Sequence, residues 1–196
     1  MIFYKIIKNF VVYIAQRWHK VNYYHTENIP KDKGCLICCN HRTFWDPIYL
    51  AAPIKTKLFF MAKNELFKTP LVSWTLKKLG AFPVKRGKKD INAINYSIDL
   101  MNNGKFVVIF PEGTRSKTSE FLKPKAGAAI VAYKTKSSIL PIRIIYHEPI
   151  KFRSQVDVIY GKLISPNELN ISDNSMNDIK NASLFIMENI KNLNVD

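Results

Sequence analysis

Residues 35–52 read CLICCNHRTFWDPIYLAA: an apolar run, a polar loop, then the opening of a helix. A short continuous apolar run bounded by polar residues is the mark of a strand buried on both faces. Asp46 and Pro47 suit a helix start, as N-cap and first helical residue. A buried strand leading through a loop into a helix is half of a parallel-sheet unit. The loop carries His41, and Asp46 lies five positions further on. On a continuous helix that offset would turn the two side chains about 140° apart. They meet only where the chain turns, and the Asp46–Pro47 step favours a turn by driving the residue before proline out of helical geometry. The carboxylate would then fix one imidazole nitrogen and leave the other free as a base. The competing reading is a loop histidine beside a helix-capping aspartate. The pair alone does not decide.

Outward from this unit, strands and helices alternate. VNYYHT, KLFFMA, AFPV, FVVIF, SILPIRII and VDVIYG read as further strands. NELFKTPLVSWTLKKLG reads as one helix closing at Gly80, and INAINYSIDLMNNG as another, with Ile91, Ile94, Ile98 and Met101 at helical spacing. AAIVAYKT is helical, and a last helix carries Met176, Ile179, Ile186, Ile190 and Leu193 on one side. The expected fold class is α/β: a single domain with a mixed, largely parallel sheet flanked by helices, preceded by an N-terminal amphipathic helix. In such sheets ligands collect at strand ends. NHRTFWDP after CLICC and PEGTRS after FVVIF are the two loops that stand there.

A chain of 196 residues with 47% apolar and 12% aromatic residues buries a substantial core and is not disordered. The formal net charge of +15 points to an anionic partner: nucleic acid, an acidic lipid surface, or a phosphorylated or acidic substrate. Cys35, Cys38 and Cys39 contain a C-x-x-C, but no second pair exists to complete a metal site. Within an apolar strand they read as small packing side chains. Residues 1–21 are apolar but interrupted by Lys5, Lys8, Arg17 and Lys20, so no membrane-spanning run occurs. On a helix, Phe3, Ile7, Phe10, Val11, Ile14 and Trp18 share one face, and Lys5, Lys8, Asn9, Gln16, His19 and Lys20 the other. Two readings fit equally: a helix lying in a membrane interface, or a surface helix packed on the domain's own core. The division is therefore residues 1–21 as an amphipathic interface helix and 22–196 as the α/β domain.

PEGTRS places Glu112, Gly113, Thr114 and Arg115 at the carboxyl end of a buried strand. Gly113 lets the backbone approach a ligand, Arg115 offers a bidentate fork for phosphate, and Thr114 and Ser116 add hydroxyls. Arg86, just after AFPV, is a second arginine at a strand end.

Taken together, the blocks resemble the glycerolipid acyltransferases of the 1-acylglycerol-3-phosphate (lysophosphatidic acid) type. NHRTFWDP is similar to that family's block of His, four residues and Asp (HX4D). AKNELFKTP…LGAFPVKR resembles its second block, FPEGTRS its third and LPIRI its fourth, in the family's order across roughly residues 20–145. The resemblance implies transfer of a fatty acyl group from a thioester, acyl-CoA or acyl carrier protein, to the free hydroxyl of a lysophospholipid, giving phosphatidic acid. It implies His41 as general base oriented by Asp46, with Lys63 on the oxyanion. Arg86, Glu112, Gly113, Thr114 and Arg115 would hold the glycerol phosphate. No cofactor and no metal are implied. The implied partners are a membrane lipid substrate, an anionic membrane surface and an acyl carrier protein, without nucleic acid, and the implied location is peripheral, on the cytoplasmic face of the membrane. An apolar slot for the acyl chain would draw on Phe44, Trp45, Leu66 or Phe67. Relatives with a longer N-terminal region carry a spanning helix or helical pair, whereas one short helix precedes the first strand here.

Three other readings stand beside it. The acceptor may be replaced in thought by another lysophospholipid or a lyso-aminolipid without changing the chemistry. The charge alone would suit a basic module for nucleic acid or anionic lipid, which leaves the ordered blocks unexplained. A thioesterase would use water in place of the acceptor hydroxyl.

Overall fold

The computed structural model describes residues 2–31, 33–85, 90–172 and 175–195. Seven strands form one sheet: β1 (Lys20–Tyr24), β2 (Leu36–Cys39), β3 (Leu58–Lys63), β4 (Ala81–Val84), β5 (Phe106–Ile109), β6 (Ile139–Tyr146) and β7 (Gln155–Tyr160). Their order is β1-β7-β6-β2-β5-β3-β4, and every pairing is parallel except β6 with β7. This is the mixed, mostly parallel sheet expected from the apolar runs. The registers place the carboxyl ends of β2 to β6 and the amino ends of β1 and β7 on one rim.

Six α-helices accompany the sheet: α1 (Ile2–Trp18), α2 (Asp46–Ala51), α3 (Pro70–Lys78), α4 (Ile91–Asn102), α5 (Gly127–Thr135) and α6 (Met176–Lys191). Alternate residues of β2 feed two cores, because successive strand side chains point to opposite faces. Cys35, Ile37 and Cys39 pack with Tyr49 and Leu50 of α2 and Ala15 of α1. Leu36 and Cys38 pack with residues of α4, α5 and α6. Burial pushes the Cys35 thiol up to about 12 and those of Cys38 and Cys39 further still, so all three are inert packing groups.

Three expectations need correction. NELFKTPLVSWTLKKLG is not one helix: a 3₁₀ turn covers Asn64–Phe67, and α3 starts anew at Pro70. Thr69 is extended, at φ −88° and ψ 123°, because a proline excludes helical geometry from the residue before it. The last helix buries Ile179, Ala182, Ile186, Met187 and Ile190 but leaves Met176 outside, at its first position. The N-terminal helix ends at Trp18, and Lys20 and Val21 already belong to β1.

The face of that helix also differs from the expected one. Tyr4 and Ala15 are buried, and Ile7, Lys8 and Val11 are half-buried against the domain. The Tyr4 hydroxyl accepts from the Leu58 N–H, and the Lys8 ammonium donates to the Ile54 carbonyl. Lys8 therefore lies on the docked side, its stem covering apolar surface while its head finds a carbonyl. Ile2, Phe3, Ile6, Phe10, Tyr13 and Ile14 point outward instead, with Ile6 and Phe10 63% and 64% exposed. Phe3 meets Trp74 of α3 edge-to-face at 5.4 Å, and Leu71 and Val72 are exposed beside Trp74 along α3. One side of α1 thus packs on the core, and another is apolar and bare. Among the described residues no helix is long and apolar enough to cross a membrane.

Candidate active site

The site begins where β2 ends. Asn40 replaces the next rung of the β2–β6 ladder with its side chain: its Nδ2 donates to the Ile144 carbonyl at 2.9 Å, and its Oδ1 accepts from the Ile144 N–H at 2.8 Å. The strand is thereby held to its last residue, and His41 leaves it at a fixed point. The imidazole is 6% exposed and stacks on Phe110, with ring centroids 4.1 Å apart.

His41 Nδ1 lies 2.6 Å from Asp46 Oδ2, so the predicted pair meets. Asp46 is fully buried and collects donors on both oxygens. Oδ2 also accepts the N–H groups of Arg42 and Thr43, at 2.6 and 2.9 Å. Oδ1 accepts the hydroxyls of Thr43 and Tyr146, at 3.0 and 2.5 Å. The turn that brings the carboxylate back to the histidine is made by these bonds. Asp46 is consequently the first residue of α2 and not its cap, a place taken by Trp45, since both its oxygens are engaged by the loop. A carboxylate at Nδ1 holds the proton there and leaves Nε2 as the basic nitrogen. Among the described residues Nε2 has no hydrogen-bond partner.

The PEGTRS loop is bound to the histidine directly. Glu112 Oε1 accepts the His41 N–H at 2.8 Å, Glu112 Oε2 accepts the Leu122 N–H at 2.9 Å, and the His41 carbonyl accepts the Ser116 N–H at 2.8 Å. Burial raises the Glu112 carboxyl above its usual value, opposed by the two N–H groups. Both Glu112 oxygens are therefore engaged in joining two loops. Gly113 sits at φ +69°, a conformation natural to glycine, and Lys125 crosses it so closely that a Cβ would lie 2.9 Å from the ammonium. Thr114 and Arg115 are exposed, and Arg115 has no ion-pair partner among the described residues.

Strand order sets the remaining candidates along the rim. β2, β5 and β3 are neighbours, so His41, Glu112 and Lys63 succeed one another there. Lys63 is exposed, pairs with Glu65 at 3.5 Å and does not touch the dyad. Arg86 lies outside the described residues. Phe44 is 62% exposed and lies tilted against Trp45, ring centroids 4.4 Å apart, while Leu66 is half-exposed, so these side chains border open surface and not a closed slot. Two residues escaped sequence reading. Tyr146 reaches Asp46 from a hundred positions away, and burial and the Asp46 charge hold its hydroxyl firmly protonated as a donor. Lys125 gave no signal beyond its neighbours in a basic loop.

A buried carboxylate–imidazole pair at strand ends, with one ring nitrogen free and a cationic loop tied to its backbone, has the geometry for general-base chemistry beside an anionic reactant. Residues 20–145 match the Acyltransferase family, and the chain belongs to it. It is 33% identical over 186 residues to the 1-acyl-sn-glycerol-3-phosphate acyltransferase of Streptococcus pneumoniae, covering 90% of this chain and 66% of that one. The enzyme of the same name from Bacillus subtilis is 37% identical over 139 residues, 70% of this chain and 69% of the relative. A chloroplastic relative from Arabidopsis thaliana is 30% identical over 70% of this chain, which spans 42% of that protein. The chain thus spans about two thirds of the bacterial relatives and less than half of the plant one. The crystal structure of the 1-acyl-sn-glycerophosphate (LPA) acyltransferase from Thermotoga maritima superposes with a TM-score of 0.69 at 23% identity, covering 98% of this chain and 83% of that one. It shares the fold.

Proposed function

We propose that this chain is a 1-acylglycerol-3-phosphate O-acyltransferase. It moves a fatty acyl group from an acyl-CoA or acyl carrier protein thioester to lysophosphatidic acid, giving phosphatidic acid. The observation that carries the reading is the 2.6 Å His41–Asp46 contact with Nε2 unengaged, tied to the Gly113–Arg115 loop, in a member of the Acyltransferase family. His41 Nε2 takes the proton of the acceptor hydroxyl as that oxygen attacks the thioester carbonyl. The tetrahedral oxyanion collapses, the C–S bond breaks, and the imidazolium returns its proton to the leaving thiolate. Asp46 keeps the ring oriented and carries the countercharge while the imidazolium exists.

Arg115, Thr114 and Lys125 meet the glycerol phosphate beside Gly113, with Arg86 as a second arginine. Glu112 contributes by joining the base to this loop. Lys63 is assigned the oxyanion; its exposed pair with Glu65 is of the kind that opens at little cost. Attachment is peripheral, through the bare apolar face of α1 and Trp74, on the cytoplasmic side where thioester donors are made.

The test is acyl transfer to lysophosphatidic acid with acyl-CoA and acyl carrier protein thioesters of several lengths. His41→Ala should lower the rate by roughly 10²- to 10⁴-fold with an unchanged circular dichroism spectrum. Substantial residual activity would refute the assignment of the base. A preference for another lyso-acceptor would move the substrate, and free fatty acid released without any acceptor would indicate a thioesterase.

A further inference from the structure

Where α1 passes into β1, a cavity of about 390 Å³ opens beside the chain that enters β7. Arg17, Lys20 and Arg153 stand exposed around it, and none is ion-paired among the described residues. Backbone bonds hold them together: the Arg153 N–H donates to the Trp18 carbonyl at 2.7 Å, and the Lys20 N–H to the Ser154 carbonyl at 3.0 Å. Trp18 and Phe152, edge-to-face at 5.4 Å, form an apolar wall. His19 also lines the cavity and is 2% exposed. Its Nδ1 lies 2.5 Å from the Tyr49 hydroxyl, while its buried Nε2 finds no partner among the described residues. Three unpaired cations held around one cavity are suited to phosphate oxygens.

We propose that Arg17, Lys20 and Arg153 bind the phosphate of an anionic phospholipid at a site separate from the His41–Asp46 pair. The lipid source follows from what adjoins the cations. Tyr13 and Ile14 line the same cavity and belong to the outward apolar face of α1, 62% and 41% exposed. A molecule with its phosphate at the cations lays its acyl chains along that face, whereas a free phosphate ester would leave the face bare. The cavity also borders the catalytic rim: β1 begins there, and Trp18 stacks on Trp45, the residue before Asp46, at 6.4 Å. A lipid held in it would keep that rim against the membrane. The inference rests on the membrane-surface part of the functional reading and not on acyl transfer.

Sedimentation of the full chain with vesicles tests it, comparing phosphatidylcholine alone with mixtures containing phosphatidylglycerol. The wild-type protein should prefer the anionic mixture. Each of Arg17→Gln, Lys20→Gln and Arg153→Gln should cost about fivefold of that preference, and the triple variant roughly 100-fold, with binding to neutral vesicles retained. Lys105→Gln/Lys134→Gln/Lys180→Gln removes the same charge from exposed positions on other elements and should change little. Equal losses in the two triples would reduce the effect to diffuse charge and overturn the site. Displacement by millimolar inorganic phosphate at matched ionic strength would assign the cavity to a free phosphate ester and overturn the lipid proposal. Vesicle binding does not read catalysis, so a chain that passes here but fails to acylate lysophosphatidic acid would refute the function and leave the site standing.

Discussion

At the level of single residues, the catalytic reading turns on how many donors Asp46 gathers. Five hydrogen bonds converge on a carboxylate that is fully buried, and one of them comes from Tyr146, on β6. Tyr146 touches no reacting atom; it positions the group that positions the base. Tyr146→Phe should lower kcat roughly tenfold, the worth of a hydrogen bond to a charged acceptor, while KM for the lyso-acceptor stays unchanged. A rise in KM with kcat intact would show that the tyrosine serves the acceptor instead. The His41–Asp46 pair was legible in the sequence because its members lie in one loop and one proline dictates the turn. Tyr146 was not, since nothing local to SILPIRIIY says which loop its hydroxyl will meet. Glu112 was found without its partners: PEGTRS marks a polar loop at a strand end, and its spacing cannot reveal that each carboxylate oxygen accepts a backbone N–H.

Among the elements, β1 was readable from its alternation and most other strands as short apolar runs, α4 and α6 from their apolar spacing, and α2 from the Asp46–Pro47 start. Their ends and partners were less so. Pro70 divides a helical pattern that runs through it unbroken, and β1 joins the sheet at an edge that no local signal names. Gly80 shows how tightly α3 is led into β4. At φ +92°, a Cβ there would lie 2.1 Å from the Leu58 carbonyl oxygen, a backbone atom of β3 that cannot swing aside. Gly80→Ala should destabilise the fold by about 3 kcal/mol or more in chemical denaturation. The β1 edge depends on Asp157, which accepts from Asn22 at 2.8 Å and pairs with His147 at 2.6 Å. Burial alone would raise its carboxyl, but the bonds from His147, Asn22 and Gln155 outweigh it and hold the group below the ordinary 3.8. The depressed folded value means that its stabilisation is complete above pH 3.8 and fades as pH falls through the folded value. Asp157→Asn should therefore be less stable than the parent by a constant amount at neutral pH, with the gap closing only in strong acid.

Across the whole molecule, the proposed membrane contact draws on more than one element. The exposed face of α1 continues through Phe3 onto Trp74 of α3, so two elements distant in sequence present one apolar patch. Ile6→Ser/Phe10→Ser should weaken partition to phosphatidylcholine vesicles about tenfold or more while the melting temperature stays close to the parent's, because neither side chain packs on the core. A large fall in melting temperature would show that the face is structural. The sheet topology has a further consequence, for synthesis. β1 is made before the other six strands of the sheet, yet its neighbour there is β7, and Asn22 and Asp157 stand 135 positions apart. At ribosomal speeds that interval lasts on the order of ten seconds. During it α1 and β1 have emerged without the strand that anchors them, and an apolar helix in that state has one surface ready to receive it. If attachment is as proposed, the membrane can meet α1 before β7 reaches β1.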